Sequence, residues 1–115
     1  MFEFFQAALN EAKKSSYKIP LGAIVIHKNK IVGRGHNVVC STGTIHDGLH
    51  AEIAAINDTT ARFRKDSVVI VGRVNKNNEL AMAKPCARCE TVLKKLGIKR
   101  VWYSCEGEWH RMDLK

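Results

Sequence analysis

A chain of 115 residues is long enough for one domain and too short for two, so residues 1–115 are expected to fold as a single unit. Its apolar fraction of 45% supports a packed core without disulfide stapling, and no apolar run approaches the ~20 residues of a membrane-spanning helix. Nineteen Lys and Arg against eleven Asp and Glu give a net charge of +8, which favours anionic partners such as a nucleotide, RNA or single-stranded DNA.

The cations are scattered along the chain, with no Lys/Arg tract to mark a nucleic-acid arm, and a solvated basic surface accounts for them equally well. The opening MFEFFQAALNEAKK places Glu3 among its apolar residues and lacks a basic leader or a small-residue cleavage site. It does not read as a signal peptide, and a cytoplasmic, membrane-free protein is expected.

Within residues 2–15, Phe2, Phe5, Ala8, Leu9 and Ala12 recur at helical spacing, and Lys13 and Lys14 suit the negative end of a helix. IPLGAIVIHK and KIVGRGHNVV are two strand-like runs around Asn29, a hairpin pattern. CSTGTIHDG has loop chemistry, and HAEIAAINDTTARF predicts a second helix beginning near His50. SVVIVGRVN is β-branched and apolar throughout, which marks a buried strand, and KNNELAMAK connects it onward. PCARCETVLKKLG predicts a third helix, with Pro85 at its first position, Gly97 past its end and Val92, Leu93 and Leu96 as the buried stripe. IKRVWYSC is a fourth strand. Strand–helix–strand steps favour parallel crossovers, so the order predicts an α/β fold with a mixed sheet and helices packed on it. After a short turn at Glu106 and Gly107 too little chain remains for a crossover helix, so any fifth strand must pair as an antiparallel hairpin.

The chemistry concentrates in His50-Ala51-Glu52 and in Pro85-Cys86-Ala87-Arg88-Cys89. Cysteines three apart at a helix start face the same way, and the free amides and positive helix end there stabilise thiolates. With one imidazole, two thiolates fill three corners of a tetrahedral zinc site and leave the fourth open, the arrangement of a catalytic centre. Two thiolates cancel the formal charge of the metal and weaken it as a Lewis acid, so a nearby base must take a proton from water; Glu52 is the candidate. Residues two apart on a regular helix point to nearly opposite sides, so His50 and Glu52 share a site only at the very start of a helix. Cys-x-x-Cys pairs also occur in redox proteins and in closed structural zinc sites. A closed site needs a fourth ligand from Cys40, Cys105, His36, His46 or His110, each of which stands without a second tight pair.

The histidine-x-glutamate element, the proline-cysteine-x-x-cysteine element and the buried strand between them resemble the cytidine deaminase-like superfamily across roughly residues 17–105. The resemblance implies a three-layer α-β-α sandwich around a mixed sheet of about five strands, and one Zn2+ held by His50, Cys86 and Cys89. It further implies hydrolytic attack at the amine-bearing carbon of a base, with Glu52 protonating the ring nitrogen and ammonia leaving. Asn37 stands where relatives place a sugar- or base-contacting asparagine, and the Ala51 amide resembles the group that binds the ring carbonyl. Lys84 replaces a glutamate or serine common in relatives and is a candidate phosphate contact.

Relatives acting on free cytidine usually carry cysteine at the position of His50 and a glutamate after the asparagine, whereas this chain reads Asn37-Val38-Val39. Histidine is similar to deoxycytidylate, transfer-RNA adenosine and polynucleotide cytosine deaminases, and LKKLGIKRVWY resembles the deoxycytidylate group. The antiparallel fifth strand resembles the free-nucleoside branch instead. The leading expectation is deamination of a cytosine nucleoside or nucleotide. The alternative is cytosine or adenosine within RNA or single-stranded DNA, and a non-catalytic zinc-binding subunit is remote because Glu52 is intact. Relatives commonly assemble, so a homo-oligomer is expected. Trp102 and Trp109 are candidates to stack on a base, Trp109 also for a subunit contact; one of Trp102 and Tyr103 is expected in the core. His46 and Asp47 are candidates to line the pocket, and Cys40 and Cys105 are expected as free thiols.

Overall fold

A computed structural model describes residues 2–15, 19–37 and 50–114. The elements are α1 (Phe2–Ala12), β1 (Gly22–His27), β2 (Lys30–His36), α2 (Ala51–Asp58), a 3-10 turn (Ala61–Phe63), β3 (Val68–Gly72), α3 (Ala87–Lys95), β4 (Arg100–Cys105) and β5 (Glu108–Asp113). No helix among the described residues is long and apolar enough to cross a membrane.

The five strands lie in the order β2-β1-β3-β4-β5. β1 pairs antiparallel with both β2 and β3, β3 pairs parallel with β4, and β4 pairs antiparallel with β5. The expected mixed sheet and the antiparallel fifth strand are both present. Each hairpin turns on two residues with positive φ, Lys28 and Asn29 at 50° and 63°, and Glu106 and Gly107 at 48° and 82°. Two successive left-handed residues match the right-handed twist of the strands they join.

Alternation along the strands divides the core into two layers. Ala23, Val25, Val69, Val71 and Val101 face α2 and α3, meeting Ala51, Ala55, Ile56 and Leu93. Ile24, Ile26 and Ile70 face α1, meeting Ala7 and Ala8 with Phe4, Phe5, Trp102 and Trp109 around them. Ile24, Ile70 and Leu93 are fully buried, each contributing roughly 1.5–3 kcal/mol of transfer free energy. α2 lies directly on β2, where a methyl group at Gly35 would stand 2.6 Å from the Ala54 carbonyl carbon and 2.7 Å from its Cβ. Only glycine admits that approach.

Four local readings are revised. Phe2 is 78% exposed, and the buried face of α1 is Ala7, Ala8, Glu11 and Ala12, since an eleven-residue helix cannot lay its first turn over a sheet that ends beneath Phe4 and Phe5. Lys13 and Lys14 follow α1 rather than occupying its last turn. Val92 is exposed, because α3 rests on the sheet through Leu93 with Leu96 at its margin. Pro85 precedes the helix: Cys86 is the N-cap, and its sulfur accepts a hydrogen bond from the Cys89 amide. Gly97, with φ of 85°, sits just past the α3 cap as expected.

Candidate active site

Two helix starts converge to make the site. α2 follows the C-terminal end of β2 and α3 follows that of β3, and these ends lie at the same edge of the sheet because His36 and Gly72 both register with Gly22. His50 caps α2 in an extended conformation (φ −71°, ψ 148°), and its carbonyl accepts from the Ala54 amide at 2.9 Å. That backbone break lets a side chain two residues from Glu52 turn toward the same space, as the spacing of the motif requires.

His50, Cys86 and Cys89 form a trio whose ligand atoms all lie within 4.8 Å of one another. His50 Nδ1 is 3.2 Å from Cys89 Sγ, and the Cys89 amide is 3.5 Å from Cys86 Sγ. Ligands on a tetrahedral zinc with bonds of ~2.0–2.3 Å stand roughly 3.5–3.8 Å apart, so the trio fits the ion with side-chain adjustments of about 1 Å. No other group of three such side chains is gathered among the described residues. His110 stacks on Tyr103, and His36 Nδ1 stands 3.9 Å from Glu11 Oε1; neither joins the trio, nor does the free Cys105 thiol. Cys40, His46 and Asp47 lie outside the described residues.

Glu52 is 4% exposed. Burial pushes its carboxyl above the ordinary range, while its own backbone amide and neighbouring His50 pull the other way. Cys89 is pushed well above the usual thiol range, first by burial and then by the Glu52 carboxylate and Cys86. Glu52 is two residues from His50 in the first turn of α2, and its charge and those of His50 and Cys89 act on one another. A divalent cation among them reverses this pressure, drawing thiol and carboxyl toward their ionised forms.

The remaining candidates are distributed differently. The Ala51 side chain is fully buried and its amide belongs to the first turn of α2, which has no carbonyl within the helix to meet it. Lys84 is exposed immediately before the buried Pro85. Asn37 directly follows β2, and its side chain is occupied: Oδ1 accepts from the Ser15 hydroxyl at 2.7 Å and the Leu21 amide at 2.9 Å, and Nδ2 donates to the Ile19 carbonyl at 2.8 Å. It fastens the entry to β1, and the bonds to described residues leave only the second Nδ2 hydrogen unengaged. Trp102 and Trp109 both pack against Phe5 of α1, Trp109 stacked at 4.2 Å and Trp102 edge-on at 5.7 Å, so each rests in part on α1. Tyr103 packs on the opposite layer, so both members of the Trp102–Tyr103 pair contribute to the core.

Sequence reasoning missed Ser104. Fully buried in β4, its hydroxyl donates to the Ala81 carbonyl at 2.7 Å and accepts from the Arg73 amide at 3.1 Å. Its carbonyl accepts from the Ala83 amide at 2.9 Å, and Arg73 Nη1 donates to the Met82 carbonyl at 3.3 Å. These bonds fasten the segment leading into Cys86 onto the ends of β3 and β4. The only signal in the sequence was a small polar residue following the Val101–Tyr103 run of β4.

Residues 2–105 match the model of the cytidine and deoxycytidylate deaminase zinc-binding region. The tRNA-specific adenosine deaminase of Streptococcus pyogenes serotype M18 (strain MGAS8232) is 30% identical over 107 residues, spanning 91% of this chain and 62% of that protein. The tRNA-specific adenosine deaminase 2 of Xenopus tropicalis is 29% identical over 107 residues, spanning 93% and 59%. The chain thus spans about three-fifths of the length of these relatives. Among solved structures, a cytidine deaminase from Burkholderia pseudomallei superposes with a TM-score of 0.78 at 19% identity, covering 98% of this chain and 91% of the other. A dCMP deaminase from cyanophage S-TIM5 superposes with a TM-score of 0.68 at 23% identity, covering 89% and 79%. At these identities the structural likeness is one of fold.

Proposed function

Because the chain belongs to the cytidine and deoxycytidylate deaminase zinc-binding family, we propose that it is a hydrolytic nucleobase deaminase in which His50, Cys86 and Cys89 hold one zinc ion and Glu52 moves the proton. The observation that carries this reading is the junction of the two helix starts: an N, S, S donor set with a buried carboxylate beside it. Bound by these three side chains, zinc would supply Lewis acidity toward water.

The chain's own residues supply the rest. Glu52 accepts a proton at its carboxylate oxygen and returns it to the ring nitrogen next to the amine-bearing carbon. The water oxygen bonds to that carbon; its second proton then passes by way of Glu52 to the amine, the C–N bond breaks, and base and water become the carbonyl product and ammonia. Burial keeps Glu52 out of bulk water and holds its pKa upward, which suits a group that must both take and give a proton. In this reading the Ala51 amide would meet a ring carbonyl and Lys84 a phosphate.

The leading substrate class is a cytosine nucleoside or its monophosphate; the antiparallel β5 supports the free nucleoside, and the LKKLGIKRVWY segment the monophosphate. A second reading, an adenine or cytosine base within RNA or single-stranded DNA, is favoured by the tRNA adenosine deaminase relatives and by the charge of +8. The test is ammonia release by zinc-loaded protein from cytidine, deoxycytidine, their monophosphates, a cytosine-containing single strand and an adenosine-containing RNA stem-loop. Glu52→Gln is expected to lower the rate ~10²–10⁴-fold with zinc content unchanged. Absence of turnover on the whole panel, with one zinc per chain, overturns the deaminase reading; turnover on the polymers alone selects the second.

A further inference from the structure

A cavity of about 650 Å³ lies at the other end of the sheet from the zinc-site trio. It is walled by Phe4, Ile26, Val68 and Trp102, with Lys28, Lys99 and Arg100 at its rim. Its position follows from the register. Ile26 pairs with Val68 and Val68 with Arg100, so the cavity sits at the C-terminal end of β1 and the N-terminal ends of β3 and β4. The trio's helices start beyond the opposite ends of β2 and β3. Ile26 and Trp102 belong to the core layer facing α1, whereas α2 and α3 cover the other face. A strand of five to six residues, roughly 17–20 Å, therefore separates this cavity from the site of the proposed reaction.

The volume falls within the ~300–1,000 Å³ of small-molecule sites, and the lining has their character, apolar walls with a few charged groups at one side. Phe5 meets Trp102 edge-on, and Phe4 lines the same space, so two aromatic side chains are available to a planar ring. Arg100 is engaged with Asp113 through a 2.8 Å bond from Nε to Oδ1. Lys28 and Lys99 are exposed and make no side-chain ion pair among the described residues. The lining holds three cations, Lys28, Lys99 and Arg100, against one acid, Asp66. Lys28 is held in the tight β1–β2 turn and Lys99 is anchored through its amide to the Ser67 carbonyl at 3.0 Å, so both stems rise from fixed backbone.

From these features we propose that the cavity is a second ligand site, separate from the zinc centre, for an aromatic ring carrying a phosphate, of the size of a nucleoside monophosphate. The ring lies against Trp102 and Phe4, and the phosphate meets Lys28 and Lys99. A mononucleotide fills such a cavity but is too short to reach the trio from it, so occupancy here is compatible with turnover there.

The test is titration of the zinc-loaded full chain with adenosine monophosphate, adenosine and inorganic phosphate, followed by the Trp102 indole N–H signal in a proton–nitrogen NMR spectrum. Trp102→Phe assigns that signal apart from Trp109. The monophosphate is expected to shift it saturably, with at least tenfold higher affinity than adenosine or phosphate alone. Lys28→Glu/Lys99→Glu is expected to weaken that affinity at least tenfold while leaving ammonia release and the circular dichroism spectrum unchanged, because both side chains are exposed and remote from Glu52. An unshifted Trp102 signal overturns the proposal, as does undiminished affinity in the double variant. Equal affinity for phosphate alone overturns the aromatic part of the ligand class. Loss of binding in His50→Ala with retention in the double variant assigns the nucleotide to the zinc centre and overturns the second site.

Discussion

At the scale of single residues, Glu52 carries a conflict between stability and chemistry. A carboxyl 4% exposed, with its pKa raised by burial, holds its proton more tightly in the folded than in the unfolded chain. Below the unfolded value, near 4.5, both states are neutral and the group contributes nothing. As pH rises past that value the unfolded chain ionises first, so stability falls until the folded carboxyl ionises too. Glu52→Gln in metal-free protein is therefore expected to raise the melting temperature at pH 7, with the difference shrinking toward zero below pH ~4.5. Melts of both proteins at several pH values check this, and a difference independent of pH would show that burial of the charge is not the cause. Bound zinc shrinks the effect, since a cation beside the carboxylate offsets the lost solvation. A variant more stable and less active is what a buried catalytic carboxylate predicts.

At the scale of elements, the site depends on how two helices begin and on what holds the chain that enters them. His50 and Cys86 are both extended N-caps, so each departs from the helical direction just where its side chain must turn inward. The lead into α3 has no regular structure of its own beyond an isolated bridge between Val74 and Leu80. Its placement rests on Ser104 and Arg73, through the bonds to Ala81, Ala83 and Met82. Ser104→Ala leaves the Arg73 amide and the Ala81 carbonyl without that hydroxyl, a loss of roughly 1–3 kcal/mol for buried polar groups. Expected with it is weaker zinc retention against a competing chelator, because Cys86 loses its fixed approach. Ser104→Thr restores the hydroxyl and is expected to recover retention more than stability, since the added methyl has to fit a fully buried position. Zinc retention equal to the parent in Ser104→Ala would detach this network from the site.

For the whole molecule, the balance of 19 cations against 11 anions is large for 115 residues. Charge of this kind acts on association rather than on fold. If a polynucleotide is the substrate, its affinity is expected to fall steeply and linearly on a logarithmic salt axis, with a slope near −0.7 for each phosphate neutralised on a single strand. Fluorescence anisotropy of a labelled single strand between about 50 and 200 mM salt measures it. A flat response would leave the charge as solvated surface and favour the small-molecule substrate.

The sequence by itself determined the donor set and much of the fold, because these depend on local chemistry. The spacing of His50-Ala51-Glu52 demands a helix start, Cys86 and Cys89 demand a shared face, and an unbroken β-branched run such as Val68–Val71 demands a strand. Even the direction of β5 was legible, since the short turn at Glu106 and Gly107 joins strands only as an antiparallel hairpin. The tertiary structure alone decided which polar groups were already occupied and which apolar ones were covered. Asn37 looked free for a ligand until the chain folded Ser15, Ile19 and Leu21 around it. Trp109 looked free for a base or a subunit until α1 brought Phe5 over it. Phe2 and Val92 fit a helical stripe in sequence, yet a stripe does not state where the sheet beneath it ends. Ser104, buried between segments more than twenty residues apart, has no local pattern to announce it. Hydrogen-bond partners and buried area are set by contacts between distant segments, and those exist only once the backbone has brought the segments together.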